Sequence, residues 1–243
     1  MICHKMNLGG ESMEKIYIMT WNTELYVEKT LMPICKKYRS VINVVKGFLE
    51  KRNAICFLQE IPYLSNENWK EHTLYSELNK DFPNAEYDVI FNIVNKGKQI
   101  MMTIAIAKKG LITKSYCDFF NSNRTVTVRY KDQNIVITGI HAFNVKGNKN
   151  YLESLNSCHS NIILGDFNAG DYEESENRDV FNGILKEYTC ICNKNTRRCK
   201  YRVTPVDHIF VNMKGVSKYT ECTVHEEIEC SDHYPITFDI EYE

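Results

Sequence analysis

Two polar residues follow a short apolar run in the segment ILGDFNAGD, residues 162–170. Because side chains alternate along an extended chain, Asp166 and Asn168 are expected to project to one side while Phe167 points back into the core. Gly165 would allow the backbone to turn where the strand leaves the core. An acid and an amide placed in this way either form a polar site or cap the strand through an Asx-type turn, and the rest of the chain decides between the two.

Polar residues also stand at the ends of five other apolar segments. They are Asn22 after IMTW, Glu60 after CFLQ, His141 after ITGI, Asp207 before HIFV, and the pair Asp232 and His233 before YPITF. Each has an ordinary explanation by itself, since Asn caps turns and a glutamate or histidine at a strand end is commonly solvated. Loops at one end of a β-sandwich converge in space, so we expect these side chains to assemble one acidic cleft that contains histidine.

The elements that must position these residues follow from hydrophobic periodicity. Residues 15–21 and 54–60 are predicted strands, and a helix is predicted between them with apolar residues on one face. Those residues are Val41, Val44, Val45, Phe48 and Leu49, within residues 39–52. A polar, helical stretch is predicted over residues 66–80.

Further strands and helices are predicted along the rest of the chain. The strands are expected at residues 86–94, 99–108, 124–130, 134–140, 161–166, 207–212, 221–226 and 234–242. The first four of these are suited to antiparallel pairing. A short helix is expected over residues 151–157, and another ends near Glu187. Two sheets packed face to face with helices outside would bury both kinds of segment.

The length and charge of the chain limit its organisation. A chain of 243 residues suits one large α/β domain, which we place at residues 15–243 after a loose leader over residues 1–14. The formal net charge of -1 gives no global attraction to nucleic acid or to a membrane, so anion binding must come from a local patch. No apolar run has the length of a membrane span, and the start of the chain has no stretch of signal-peptide type.

Ten cysteines raise the question of disulfides. Several lie singly inside or beside apolar segments, so we expect free thiols and a cytoplasmic location. Cys190, Cys192 and Cys199 come nearest to a metal pattern, but their spacing matches no common zinc motif.

The motifs TWN, LQE, GIHA, GDFNA, VDHIFV and SDHYPITF occur in this order, and GDFN and SDHYP are the most specific of them. The set resembles the endonuclease/exonuclease/phosphatase family, the DNase I-like fold, over nearly the whole chain from about Lys15 to Tyr242. The histidine in GIHA makes the chain resemble the branch of the family that contains DNase I, the cytolethal distending toxin nuclease and neutral sphingomyelinases. The exonuclease III branch carries a tyrosine at that position. The resemblance implies a four-layer α/β sandwich, with two packed mixed sheets flanked by helices, and Mg²⁺-dependent cleavage of phosphate esters.

The resemblance, together with ligand chemistry, suggests roles for the acids and amides of the cleft. Glu60 is the first choice of ligand for Mg²⁺, which Mn²⁺ could replace, with Asn22 and Asp232 close by. Asp166 would orient or deprotonate the attacking water. Asn168 would donate a hydrogen bond to the charge that grows on the phosphoryl oxygens.

The two histidines would flank the phosphate as a base and acid pair. Asp207 would hold His233 in its useful tautomer. The chain departs from the family at His141, because enzymes of this branch pair that histidine with a glutamate on an upstream strand. The matching stretch here, NKGKQIMM, offers Gln99 but no acid. Without a carboxylate, His141 would be a weaker base that could still stabilise the transition state by hydrogen bonding.

Basic residues gather on the loops that should rim the cleft. They are Lys96, Lys98, Arg124, Lys146, Lys149 and the run KNTRRCKYR over residues 194–202. This run interleaves Arg197 and Arg198 with Tyr201, which suits phosphate contacts and stacking on a base or sugar. Arg124 resembles the arginine with which nucleases of the family hold a backbone phosphate.

Three functions remain open from the sequence. The first is a Mg²⁺-dependent nuclease that hydrolyses DNA, or alternatively RNA, with little sequence preference. The second is a phosphatase or phosphodiesterase of lipid or small phosphorylated substrates, sphingomyelinase-like or inositol-phosphatase-like, for which Phe119 and Phe120 could touch a membrane. The third and remotest is a catalytically inactive binding protein on the same scaffold. A nucleic acid is thus the expected partner, and a monomer is the expected state by default.

Overall fold

The computed structural model describes residues 14–26, 31–63, 74–92, 100–116, 122–131, 133–143, 149–169, 186–200 and 202–242. The strands within these ranges are, in chain order, β1 (Glu14–Asn22), β2 (Ala54–Tyr63), β3 (Tyr87–Phe91), β4 (Ile100–Lys108), β5 (Ile112–Lys114), β6 (Thr125–Tyr130), β7 (Val136–His141), β8 (Ile162–Asp166), β9 (Thr189–Cys192), β10 (Arg197–Cys199), β11 (Arg202–Thr204), β12 (Asp207–Val211), β13 (Lys218–Tyr219), β14 (Thr223–Val224) and β15 (Ile236–Tyr242). The helices of the same ranges are α1 (Leu31–Leu49), α2 (Leu74–Asp81) and α3 (Lys149–Glu153), followed by a 3-10 helix at Ser154–Ser157.

The strands form two large sheets and one small hairpin. The first sheet has the order β13-β15-β1-β2-β4-β3, with β14 also paired to β15, and the second has the order β5-β6-β7-β8-β12-β9. Strands β10 and β11 pair with each other as a separate hairpin. Both large sheets are mixed, because β1 runs parallel to β2 and β7 runs parallel to β8. Parallel neighbours need a crossover, which α1 supplies in the first sheet and α3 with the 3-10 helix supplies in the second.

Alternation along the strands gives each sheet two apolar faces. Ile18 of β1 and Leu164 of β8 lie in the core between the sheets. Trp21 of β1 packs in the cluster formed with α1 and α2, whereas Ile163 of β8 packs in the cluster formed with α3. The layers are therefore helices, sheet, sheet and helix, and the expected sandwich of two mixed sheets with flanking helices is confirmed.

The two sheets are in close contact at Gly139 of β7. A Cβ atom at this position would lie 2.5 Å from Cδ1 of Phe57 on β2, far inside van der Waals contact. The Phe57 ring therefore occupies space that any side chain at position 139 would need. This contact joins the centre of the first sheet to the centre of the second.

The structure differs from the sequence predictions at several elements. Helix α1 begins at Leu31, not at residue 39, with Pro33 in its first turn, where a missing N–H is tolerated. The strands predicted over residues 86–140 do not form one antiparallel series, because β3 and β4 belong to the first sheet and β6 and β7 to the second. Strands β5, β9, β10, β11 and β13 were not predicted, since two to four residues are too short to show a period.

Some predictions fall outside the described ranges. The helix expected over residues 66–80 is described only from Leu74 to Asp81. The helix expected to end near Glu187 lies mostly within residues 170–185, which are outside the description, and residues 186–188 are turn and bend. The leader over residues 1–14 lies outside it except for Glu14, which begins β1. The division into a leader and one domain stays a prediction.

Candidate active site

Strand pairing places three of the predicted site residues side by side. His141 ends β7 and pairs in register with Asp166 at the end of β8. Asp166 pairs in turn with Asp207 at the start of β12. From the first sheet, Asn22 ends β1 and bonds through its Nδ2 to Asp166 Oδ2 at 2.9 Å. Both sheets therefore contribute to one cleft, as the strand-end pattern predicted.

Glu60 reaches the cleft because strand β2 is irregular at this point. The pairing of β2 with β4 changes register between Leu58 and Ile61, and Glu60 has a positive φ of 57°. A bulge of this kind turns a side chain away from the regular alternation. Glu60 Oε1 accepts a 3.2 Å hydrogen bond from Asn22 Nδ2, whereas Oε2 is buried with no hydrogen-bond partner among the described residues. Burial raises the pKa of the Glu60 carboxyl.

Asp166 takes part in both an Asx turn and a polar site, the two interpretations that the GDFN motif allowed. Its Oδ1 accepts a 2.8 Å hydrogen bond from the Asn168 backbone N–H, which is an Asx turn, while Oδ2 faces the cleft. Burial and the negative charge of Asp207 raise the pKa of Asp166 to about 7. Gly165 has a φ of 130°, a conformation that favours glycine, and a Cβ there would collide with the Ile140 carbonyl oxygen. Phe167 is fully buried, as predicted.

His233 forms a buried pair with Asp207. Its Nδ1 lies 2.8 Å from Asp207 Oδ2, and both side chains are almost fully buried. Burial alone would lower the pKa of His233, but the charge and hydrogen bond of Asp207, with smaller contributions from Asp166 and Asp232, raise it to about 9. The imidazole therefore carries a proton at neutral pH, and the Asp207 bond directs its Nε2 toward the cleft.

His141 is equally buried but lacks such a partner. Its Nδ1 has no hydrogen-bond partner among the described residues, and Gln99 lies outside them. Its Nε2 lies 3.6 Å from Asp166 Oδ2 and 3.8 Å from Glu60 Oε1, too far for hydrogen bonds. Burial, followed by the positive charges of Arg124 and His233, holds the pKa of His141 well below the ordinary histidine value. The ring is therefore neutral at neutral pH.

The two carboxylate oxygens of Asp232 have different surroundings, one facing an arginine and the other the cleft. Its Oδ2 accepts a 2.9 Å hydrogen bond from Arg197 Nε. Its Oδ1 is buried with no hydrogen-bond partner in the described part of the chain, and lies 3.7 Å from His233 Nε2. Asp232 therefore presents Oδ1 to the cleft, beside the protonated His233.

Comparison with known proteins identifies the architecture. The chain matches no family profile and no curated protein. Solved structures do match it along nearly its whole length. The endonuclease domain of TRAS1, a telomere-specific non-LTR retrotransposon, has a TM-score of 0.66 at 16% identity, with 94% of this chain and 99% of that domain covered. An endonuclease/exonuclease/phosphatase family protein from Leptotrichia buccalis has a TM-score of 0.64 at 17% identity, with 93% and 100% covered.

An AP endonuclease from Archaeoglobus fulgidus is similar to the same extent, with a TM-score of 0.61 at 16% identity and 92% and 98% of the two chains covered. This chain has the DNase I-like fold. The resemblance noted in the sequence is thereby confirmed for the fold. None of the described helices combines the length and the apolar character that crossing a bilayer requires.

Two sets of residues in this DNase I-like fold could hold a metal ion. Ligand atoms of Asp166, Asp207 and His233 all lie within 4.8 Å of one another. However, His233 Nδ1 and Asp207 Oδ2 already bond to each other. Within the described part of the chain, the buried carboxylate oxygens without hydrogen-bond partners belong to Glu60 and Asp232, and hard oxygen ligands suit Mg²⁺. We therefore consider Glu60 and Asp232 the better candidates, with Asn22 beside Glu60.

The predicted substrate-binding residues have different positions. Arg124 lies in the cleft, where its Nη1 is 3.4 Å from the carbonyl oxygens of His141 and Ala142 and its guanidinium stacks on Phe143. Arg197 bonds to Asp232 at the cleft. Arg198 is exposed on β10 and forms an ion pair with Glu229 at 3.4 Å. The remaining residues proposed for the substrate or a membrane, Tyr201, Lys96, Lys98, Lys146, Phe119 and Phe120, lie outside the described ranges, and for Lys149 only the backbone is described.

Sequence reasoning assigned no role to the residues that support the His233–Asp207 pair. Thr196 Oγ1 accepts hydrogen bonds from the backbone N–H groups of Asp207 at 3.0 Å and Val206 at 3.3 Å. Trp21 Nε1 donates to the His233 carbonyl oxygen at 2.9 Å, and Ser231 Oγ accepts from the His233 N–H at 3.1 Å. Trp21 lies in the motif TWN and Ser231 in SDHYP, so these motifs included both residues without indicating what they do. No motif pointed to a role for Thr196.

The cysteines were expected to be thiols. No disulfide joins any two of the seven described cysteines. No group of three metal-ligating side chains in the described ranges includes a cysteine. The weak zinc pattern of Cys190, Cys192 and Cys199 therefore has no counterpart there.

Proposed function

We propose that this chain is a metal-dependent phosphodiesterase, and specifically a Mg²⁺-dependent nuclease that hydrolyses DNA or RNA with little sequence preference. One observation supports this above all. The protonated His233–Asp207 pair and the partner-free carboxylate oxygens of Glu60 and Asp232 line the same cleft. A positively charged hydrogen-bond donor beside two carboxylate oxygens suits the binding of a negatively charged phosphate ester together with a divalent ion.

The chemistry of phosphodiesters explains why such a cleft is needed. The ester resists attack because its oxygens are charged and its leaving alkoxide is poor. Glu60 and Asp232 would hold Mg²⁺, for which Mn²⁺ can substitute. Asn22, first expected as a ligand, instead donates from Nδ2 to the Glu60 and Asp166 carboxylates, and its Oδ1 accepts from the Glu24 N–H. When bound, the ion would supply charge neutralisation at the phosphate oxygens.

The side chains of this chain would then carry the proton transfers. Asp166, with a pKa of about 7, is poised to take a proton from an attacking water at neutral pH. His233, with a pKa of about 9, would donate a hydrogen bond or a proton from Nε2 to the phosphate or the leaving oxygen. His141, being neutral, would donate a hydrogen bond without acting as an acid. Asn168 Nδ2 donates to the Ala142 carbonyl oxygen at 2.8 Å, and its second amide hydrogen would donate to the phosphoryl oxygens.

The nucleic-acid substrate is supported by Arg124 and by the structural neighbours. Arg124 lies at the cleft with its guanidinium fixed on Phe143, which suits one backbone phosphate. Two of the similar solved structures are described as endonucleases, one from a telomere-specific retrotransposon and one acting at AP sites. Arg198 and Tyr201 stay proposed substrate contacts.

A second candidate is a phosphatase or phosphodiesterase of small or lipid phosphates. Ion pairing favours it, because Arg197 and Arg198 are engaged with Asp232 and Glu229, which leaves less positive charge for an extended backbone. The net charge of -1 points the same way. We propose a cytoplasmic setting as well, because no disulfide joins any two of the described cysteines, with a monomer as the simplest state.

The experiment that separates these candidates compares four substrates. Purified protein is incubated with supercoiled plasmid, single-stranded DNA, RNA and phosphoinositides, each with Mg²⁺ or with EDTA. We expect cleavage of nucleic acid that EDTA abolishes and Mn²⁺ restores. Turnover of phosphoinositides alone would favour the second candidate, and full turnover after metal stripping would exclude the mechanism. Binding without turnover of any substrate would indicate an inactive binding protein.

A further inference from the structure

Arg197 connects the β10–β11 hairpin to the cleft. Its backbone forms an isolated antiparallel bridge with His233. Its Nε donates to Asp232 Oδ2 at 2.9 Å, and the two side chains are only 29% and 26% exposed. Asp232 Oδ1 is left buried with no hydrogen-bond partner among the described residues. One oxygen of this carboxylate is thus fixed while the other stays available.

We propose that Arg197 is a positioning residue, which orients Asp232 so that Oδ1 can serve as a ligand of a divalent ion held by Glu60. The inference rests on the proposed function, because it assumes that a metal binds in the cleft. It also differs from the expectation that Arg197 contacts a nucleic-acid backbone. A residue that fixes a ligand acts on metal affinity even when no substrate is present.

Arginine suits this task better than lysine would. The guanidinium presents its donors in a rigid plane, so a bond through Nε restricts the rotation of the carboxylate. Lysine would offer a flexible point charge without that restriction. The arginine also offsets the repulsion between Asp232 and Glu60, whose pKa the Asp232 charge helps to raise.

The backbone around Asp232 is held independently of the Arg197 side chain. The Thr196 carbonyl oxygen accepts from the Tyr234 N–H at 2.8 Å, and the Arg198 N–H donates to the Asp232 carbonyl oxygen at 2.7 Å. These bonds persist when the side chain at position 197 is shortened. A substitution at position 197 should therefore let the Asp232 carboxylate rotate without displacing the backbone around Asp232.

The test measures Mn²⁺ binding to the substrate-free, full-length protein by titration calorimetry. Arg197→Met should weaken Mn²⁺ binding by about tenfold to a hundredfold, the range seen when residues that support metal ligands are removed. Arg197→Lys keeps the charge and should also weaken binding, by a smaller factor. Arg39→Met is the matched control, since Arg39 forms another arginine–aspartate pair, with Asp81, on the helices α1 and α2. We expect this control to bind Mn²⁺ like the wild type.

The outcomes separate this inference from the proposed function. Wild-type Mn²⁺ affinity in a folded Arg197→Met protein would overturn the inference and leave the proposed function intact. If that variant does not fold, wild-type affinity in Arg197→Lys would overturn it equally. A wild-type protein that binds no Mn²⁺ would overturn the proposed function itself. Finally, the activity of Arg197→Met on an aryl phosphodiester should recover as Mn²⁺ is raised, and a defect confined to long nucleic acids would instead assign Arg197 to the substrate.

Discussion

His233 and His141 occupy equally buried positions in one cleft, at 3% and 4% exposure, yet their pKa values move in opposite directions. His233 bonds to the Asp207 carboxylate, and its pKa rises to about 9. His141 has no partner for Nδ1 within the described residues, and its pKa falls well below 6.5. Burial disfavours the charged form of both rings, so the hydrogen-bonded carboxylate accounts for the difference.

The difference assigns the two rings to different chemistry. A ring that is protonated at neutral pH can neutralise phosphate charge and release a proton. A neutral ring of low pKa donates or accepts a hydrogen bond and is only a weak base. The sequence suggested this asymmetry through Gln99, which replaces the acid expected near His141. The predictions below test whether the asymmetry is real.

The largest effect is expected from removing the ionisable groups that carry the proposed chemistry. His233→Ala, Asp166→Asn and Glu60→Gln should each lower turnover by roughly a hundredfold or more, the range for general-base and electrostatic groups. Steady-state rates on plasmid DNA, with circular dichroism to check folding, provide the measurement. Near-normal rates in any two of the three variants would mean that the active site is placed wrongly.

A smaller loss is expected at the other histidine. His141→Gln removes a neutral hydrogen-bond donor and no charge, so turnover should fall by about tenfold, in line with a hydrogen bond of roughly 1–1.5 kcal/mol. The measurement uses the same substrate and pH as for His233→Ala. A loss as large as that of His233→Ala would show that an acid outside the described residues supports His141.

The pH dependence of turnover tests the cause of the asymmetry. The rate should rise through about pH 7 as Asp166 loses its proton, and fall through about pH 9 as His233 loses its own. Asp207→Asn removes the carboxylate that raises the pKa of His233, so the falling limb should move toward the ordinary value of 6.5. Turnover of an aryl phosphodiester between pH 5 and about 10 gives both limbs. An unmoved upper limb would assign it to another group.

A separate test concerns stability, where the two histidines should act with opposite signs. His233 binds its proton more tightly when folded, so its contribution is complete below pH 6.5 and about 3 kcal/mol of it is lost as pH rises through 9. His141 resists protonation when folded, so its contribution is lost as pH falls below 6.5. Urea unfolding of the wild type, His233→Gln and His141→Gln at several pH values measures these differences. His159 is exposed and lies outside the cleft, so His159→Gln provides the control for replacing a histidine. Differences of equal sign for the two buried histidines would contradict the comparison.

The sequence predicted the position of the cleft better than its internal contacts. Strand ends follow from apolar runs, so Asp166, His141 and Asp207 could be assigned to one cleft before their pairing was known. The turn of Glu60 into the cleft could not be foreseen, because a bulge depends on how β2 pairs with β4. The bond between Arg197 and Asp232 joins residues 35 positions apart, and periodicity carries no information about such contacts. The run that contains Arg197 therefore suggested a basic loop where the structure has the β10–β11 hairpin.

The close approach of Gly139 and Phe57 determines how the two halves of the cleft stay aligned. Asn22 and Glu60 come from one sheet and Asp166 and His141 from the other, so a sideways slip of either sheet would break the 2.9 Å bond between Asn22 and Asp166. The Phe57 ring fits into the space that Gly139 leaves open, and the backbone around it opposes such a slip. A Cβ atom at position 139 would stand 2.5 Å from Phe57 Cδ1, so the ring would have to leave its position. An apolar contact that takes no part in the chemistry thus helps to keep the two sheets aligned.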